Sequence, residues 1–264
     1  MKRIAALCAA LLSTACRVEY HPYDTRIEGR REINSANIAR IEAACAERTT
    51  IRLALISDTQ RHYDETAAAV RALNARDDVD FVIHAGDMTD FGMRAEFERQ
   101  RDLLERLRVP YVVLPGNHDC LATGERIFTE LFGPVDFAFT AGSVRFVCLN
   151  TNALEFGHDT PVPNFDFLER QIADPPARVR TSVAVMHARP GTEQFDNNVA
   201  RLFHRTLRQL PGLQCCLNGH GHRFAAEELF DDGIVYYQSD DIGRKVYLLF
   251  TLTEEGYDYE RVEF

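Results

Sequence analysis

Residues 51–60 read IRLALISDTQ, residues 81–90 read FVIHAGDMTD, and residues 111–119 read YVVLPGNHD. Each is an apolar run that stops at a short polar cluster. The stretch Asp64–Arg76 between the first two carries Ala69, Val70 and Leu73 at helical spacing, with Asp64 placed to cap it. Arg94–Arg108, between the second and third, carries Phe97, Leu103, Leu104 and Leu107 on one face, and Pro110 stops it. Strand, helix, strand, helix, strand in this order predicts parallel strands joined by crossover helices.

Working outward from that core, Phe137–Ala141 and Val144–Asn150 read as a hairpin around Gly142. Phe165–Ala173 reads as a helix, Ser182–Met186 as a strand, Val199–Leu210 as a helix and Leu213–Leu217 as a strand. Phe224–Phe230, Ile234–Gln238, Val246–Thr251 and Tyr257–Val262 read as a mostly antiparallel tail. The expected fold class is α/β: a two-sheet β-sandwich with flanking helices, layered α/β/β/α. Upstream, Asn34–Arg48 shows Ile38, Ile41 and Ala44-Cys45 at helical spacing, and Glu19–Arg31 reads as a polar tether.

The chain has 264 residues, 45% apolar and 27% charged, enough for one large folded domain. Its net charge of −10 argues against nucleic acid as a partner, because phosphate backbones attract basic faces. Lys2 and Lys245 are the only lysines, so an arginine beside a motif carries little information by itself. The sequence points to no protein partner, internal repeat or interdomain linker.

The first residues read separately. Lys2 and Arg3 make a positive start, Ile4–Leu12 is apolar, and Ser13-Thr14-Ala15 is small, the pattern of a secretory signal peptide over residues 1–15. Leu12–Cys16 resembles the lipobox of bacterial lipoproteins, with Ser13 where those proteins favour leucine. That resemblance implies lipidation of Cys16, a membrane anchor, and a place in the cell envelope. A signal peptide cut nearby without lipid is the other reading. The resulting division is residues 1–15 signal peptide, 16–50 tether and helix, and 51–264 the main domain. Five cysteines remain beyond Cys16 (Cys45, Cys120, Cys148, Cys215 and Cys216), an odd number without metal spacing. Cys215 and Cys216 are expected on opposite faces of a strand.

Five polar clusters follow the apolar runs: Ser57-Asp58-Thr59-Gln60, Gly86-Asp87-Met88-Thr89-Asp90, Gly116-Asn117-His118-Asp119, His187, and Gly219-His220-Gly221-His222. Strand-end loops can converge in an open α/β sheet. Asp, Asn and His at one spot suit a pair of divalent cations, and hence metal-assisted attack on a phosphoester. Any single cluster could be a helix cap, a turn or a surface histidine. The ordered set resembles the calcineurin-like metallophosphoesterase superfamily from Ile51 to near the chain end.

That resemblance implies a binuclear metal centre. Asp58, Gln60, Asp87 and His222 would hold one cation; Asp87, Asn117, His187 and His220 the other; Asp87 would bridge. His118 would be the general acid, oriented by Asp119 or Asp90. Two close dications repel, which asks for a shared anion, and water bound to such a pair deprotonates near neutral pH to become a bridging hydroxide nucleophile. Gln60 stands where the family most often has histidine; a neutral oxygen donor suits manganese or iron better than zinc. Arg61, Arg189 and Arg223 are candidates for substrate contact, with Arg94 and Arg244 also near the clusters. His84 reads as a supporting histidine and Asn152 as a turn residue. No cap domain is expected between Asn117 and His187, so the cleft should admit a small phosphoester: a monoester, a diester or a nucleotide. The alternative is a catalytically silent metal-binding scaffold or binding protein of the same fold.

Overall fold

The computed structural model describes residues 21, 23–157 and 159–264. The signal-peptide and lipidation readings lie outside them. A helix α1 (Ile33–Cys45) precedes strand β1 (Ile51–Ile56), α2 (Tyr63–Asn74), β2 (Phe81–His84), α3 (Arg94–Leu104) and β3 (Tyr111–Val113). Then come α4 (Gly124–Phe132), β4 (Phe137–Ala141), β5 (Val144–Leu149), α5 (Phe165–Ala173), β6 (Thr181–Met186), α6 (Ala200–Leu207) and β7 (Leu213–Asn218). Strands β8 (Ala225–Glu228), β9 (Val235–Gln238), β10 (Val246–Leu252) and β11 (Tyr257–Glu263) finish the chain. One sheet runs β11-β10-β1-β2-β3 and the other β4-β5-β6-β7-β9-β8.

Alternation on these strands makes the layers. Leu53 and Leu55 meet Val183, Val185 and Cys215 between the sheets, with Phe81, Phe139 and Phe146 closing that core edge to face. Ala54, Ile56 and Val82 face outward onto Val70, Leu73, Phe97 and Phe128 of α2, α3 and α4. Ala184, Met186 and Cys216 face Leu168 of α5 and Phe203 of α6. Both faces of the central strands are therefore covered, and their sequences are mostly apolar, with polar residues such as Arg52, His84, Thr181 and Ser182 near their ends. The α/β/β/α sandwich follows. Cys215 and Cys216 do fall on opposite faces, and Cys45, Cys120, Cys148, Cys215 and Cys216 are all free and buried.

Several local expectations are corrected. Asp64 lies inside the first turn of α2, while His62 occupies the cap position without a side-chain bond. Helix α3 stops at Leu104. The second sheet is mainly parallel, β5 through β6 and β7 to β9, with antiparallel edges at β4 and β8. Helix α4 has no counterpart in the sequence expectation. The stretch expected as a tether is tied down instead. Ile27 is buried, and Arg94 Nη1 donates to Arg26 O at 3.0 Å.

Helix α1 also belongs to the body. Ile41 and Cys45 enter the inter-sheet core. Asn34 makes two bonds to Val113, donating to its O at 2.8 Å and accepting from its N at 2.9 Å; Asn37 donates to Tyr111 O at 2.8 Å. These amides occupy the open edge of β3, which would otherwise present unpaired backbone groups. No described helix is long and apolar enough to cross a membrane.

Candidate metal centre

The clusters sit just past the carboxyl ends of parallel strands from both sheets: Asp58 after β1, Asp87 after β2, Asn117 after β3, His187 after β6 and His220 after β7. Backbone bonds lock these loops together. Asp58 N donates to Gly86 O at 2.9 Å, Thr59 N to Asp87 O at 2.9 Å, and Gly219 N to His187 O at 3.1 Å. Asp58, Asp87, His220 and His222 all have left-handed backbones (φ 52°, 59°, 73° and 58°). Each such residue costs about 1 kcal/mol or more, a strain that persists only where surrounding structure over-determines it, commonly at functional sites. Glycine at 116 is required by closeness: a Cβ there would lie 2.1 Å from Asp87 Oδ1.

Two groups of ligand atoms form. Asp87, His187 and His220 offer atoms within 4.8 Å of one another, and so do Asp58, Asp87 and His222; Asp87 is common to both. His187 Nε2 lies 3.4 Å from Asp87 Oδ2 and 3.2 Å from Asn117 Oδ1. His220 Nδ1 is 3.1 Å from Asn117 Oδ1. His222 Nε2 is 3.3 Å from Asp58 Oδ1, an otherwise unbonded buried oxygen among the described residues. Gln60 is buried and its Nε2 donates to Asp87 Oδ2 at 3.0 Å. Amide oxygen and nitrogen are nearly isosteric, so a half-turn brings the Gln60 oxygen to the same point.

Tautomers sharpen the fit. His187 Nδ1 donates to Ala85 O at 2.7 Å. In the neutral ring Nε2 is then an acceptor facing two further acceptors, Asn117 Oδ1 and Asp87 Oδ2. With the Asn117 oxygen turned toward the ring, as it stands here, a cation at that point, a proton or a metal ion, satisfies the convergence. Burial alone would push His187 down, but the Asp87 carboxylate, with Asp58 behind it, more than offsets this and holds the imidazole up at about 9. Asp87 is held low: burial opposes ionisation, and His187 and His118 outweigh it. Carboxylate, amide and imidazole donors around one shared aspartate fit two dications.

His118 N donates to Asp87 Oδ1 at 3.0 Å, and its ring Nδ1 donates to the Asp90 carbonyl at 2.8 Å. Nε2 remains the ring atom able to give a proton. Asp90 thus holds the ring through its backbone, while its carboxylate pairs with Arg61. Asp119 takes a different part from the orienting one anticipated. Fully buried, its carboxylate accepts from Met88 N (3.1 Å), Thr89 N (2.9 Å), Thr89 Oγ1 (2.8 Å) and Gly116 N (2.9 Å). It clamps the Asp87 loop to the Asn117 loop. Burial and then the Asp87 charge raise it to about 6 against those bonds.

Arg189 is engaged by Glu227 at 2.7 Å, and Arg223 is exposed beside His222. Arg94 braces the N-terminal segment through Arg26 O and Asp24; Arg244 Nε donates to His222 O at 2.9 Å. His84 is buried, pushed down to about 4 by that burial; it accepts from Gly86 N at 3.2 Å and donates to Thr59 Oγ1 at 2.9 Å. Asn152, expected as a turn residue, is buried and donates to Pro115 O at 3.0 Å, bracing the Asn117 loop. Sequence reading missed Glu193, which meets His220 Nε2 at 3.0 Å. A lone loop glutamate leaves no pattern by which to find it.

The calcineurin-like phosphoesterase family profile matches residues 51–224, about two thirds of the chain. A 3',5'-cyclic-nucleotide phosphodiesterase of Nostoc sp. (strain PCC 7120) is 28% identical over 122 residues, 44% of this chain and 46% of that protein. A probable glycerophosphodiester phosphodiesterase of Arcobacter nitrofigilis is 39% identical over 57 residues, 22% of this chain and 21% of that protein. The matches therefore span less than half the length of these curated relatives. The crystal structure of a dimetal phosphatase from Danio rerio has the same fold, with a TM-score of 0.59 at 13% identity, covering 79% of this chain and 98% of that one. With its profile match spanning every one of the five clusters, the chain belongs to the calcineurin-like phosphoesterase family.

Proposed function

We propose that the protein hydrolyses small phosphodiesters at a binuclear divalent-metal centre. The observation that carries this is the convergence of Asp58, Gln60, Asp87, Asn117, His187, His220 and His222 into two donor groups sharing Asp87. Asp58, Gln60, Asp87 and His222 would hold one cation, and Asp87, Asn117, His187 and His220 the other. When bound, the pair supplies positive charge against the phosphoryl oxygens and acidifies water near neutral pH.

The protein's own groups do the rest. Asp87, common to both donor groups, is held in position by the His118 N–H at its Oδ1. His118, anchored at Nδ1, gives its Nε2 proton to the departing oxygen. The strained loops hold the donors in place before substrate arrives, so little reorganisation accompanies the reaction.

A diester is favoured over a monoester for two reasons. Both curated relatives are named phosphodiesterases. Arg61 and Arg189 are each neutralised by a carboxylate, which suits a monoanionic phosphate better than a dianionic one. Gln60 favours manganese or iron over zinc in its group. The test is turnover of bis(p-nitrophenyl) phosphate and p-nitrophenyl phosphate by protein stripped with chelator, then reloaded with manganese, iron or zinc. Metal-dependent turnover with the diester ahead supports the reading. Metal uptake without turnover of either ester contradicts it. The envelope location rests on residues 1–16 alone and is tested by palmitate labelling of the full chain against Cys16→Ala.

A further inference from the structure

We infer that Glu193 is a positioning residue for the second cation site, fixing the His220 ring so that its Nδ1 lone pair faces the metals. The inference rests on the metal-centre reading above. His220 Nε2 lies 3.0 Å from Glu193 Oε1, and a carboxylate can only accept there, so Nε2 carries the proton. In the neutral ring Nδ1 is then an acceptor, and it stands 3.1 Å from Asn117 Oδ1, itself an acceptor. With the Asn117 oxygen in that position, a cation shared by the two acceptors satisfies both.

The contact is built rather than incidental. Glu193 lies on the loop between β6 and α6, the loop that begins with His187. Its carboxylate is 74% exposed, yet its backbone is fixed on both sides. On one side Asn197 bridges the turn, accepting from Gly191 N at 2.8 Å and donating to Thr192 O at 2.7 Å. On the other, Gln194 is buried, its O taking the Ala153 N–H at 2.8 Å and its Nε2 donating to Glu155 at 3.1 Å. The loop presents Glu193 to the outer nitrogen of His220 much as Ala85 O meets the outer nitrogen of His187. Partners of this kind set the tautomer and orientation of a ligating histidine, and their loss typically costs about 10–100-fold in metal affinity.

The test is calorimetric titration of chelator-stripped full chain with Mn²⁺, comparing wild type, Glu193→Ala and Glu193→Gln, alongside metal-free thermal melts. Glu193→Ala should weaken one of two Mn²⁺ steps about tenfold or more and leave the other unchanged. Glu193→Gln, whose amide oxygen still accepts from Nε2, should stay near wild type. Metal-free melting should be unaltered in both. Two unweakened steps in Glu193→Ala would overturn the inference, as would a fall in metal-free melting large enough to account for the weakening. If wild type itself takes up no pair of Mn²⁺ ions, the metal-centre reading fails, and this inference with it.

Discussion

Gly116→Ala is the substitution whose effect follows most directly from distances. The added methyl would lie 2.1 Å from Asp87 Oδ1 and 2.2 Å from Asp87 N. Clearing a normal contact of about 3.4 Å requires relative movement of a little over 1 Å. Asp87 has little freedom to yield, because its Oδ1 accepts from His118 N at 3.0 Å and its O from Thr59 N at 2.9 Å. Gly116 N in turn is tied to Asp119. The substitution needs no unusual backbone angle, so the collision alone decides the outcome. Overpacking of this sort costs about 1–3 kcal/mol of stability. The larger effect falls on the shared donor: a 1 Å displacement at a preorganised site costs roughly 100-fold in turnover. Both Mn²⁺ steps should weaken, since Asp87 belongs to both donor groups. The assay is calorimetric metal titration with diester turnover, run well below the melting temperature measured for the variant. Wild-type affinity at both steps, together with turnover within a few-fold of wild type, would refute the reasoning.

Three further outcomes are expected. His118→Ala should lower turnover of substrates with poor alkoxide leaving groups far more than of nitrophenyl esters, because only the former need the proton; equal losses would remove the acid role. Asp119→Asn places an NH₂ where one carboxylate oxygen now accepts two of the four hydrogen bonds, and should cost about 2–4 kcal/mol in urea unfolding; a loss under about 0.5 kcal/mol would argue against the clamp. Asp136 is raised to about 6 from 3.8 by burial, despite accepting from Asn150 N at 2.7 Å. A raised carboxyl binds more protons folded than unfolded, so its stabilising share is full below about 3.8 and is lost as pH rises through about 6. Asp136→Asn should remove about 1–2 kcal/mol of that decline, allowing for partial solvent screening. Parallel wild-type and variant stability curves between pH 4 and 7.5 would contradict it.

Much of this architecture was legible because the strands are apolar on both faces. Ile51–Ile56 and Phe81–His84 read as doubly buried parallel strands, and their ends named the donors. The parallel core of the second sheet was not legible, since chain order shows where strands lie and not which neighbours they take. Helix α4 escaped notice although Ile127, Phe128, Leu131 and Phe132 have helical spacing, because Gly124 and Gly133 frame it like a loop. The bonds of Asn34 and Asn37 to the β3 edge, and of Glu193 to His220, join residues far apart in sequence and leave no periodic trace. At Asp119 the residue was visible but its task was not: a carboxylate beside a histidine in sequence turned its oxygens to the backbone donors of Met88 and Thr89 on another loop and of Gly116 on its own.

The central claim is most directly tested by anomalous diffraction from crystals of the manganese-loaded protein. The account predicts two peaks roughly 3.5–4 Å apart, one among Asp58, Gln60, Asp87 and His222 and one among Asp87, Asn117, His187 and His220. Manganese bound elsewhere, or a single ion leaving one donor group empty, would contradict it.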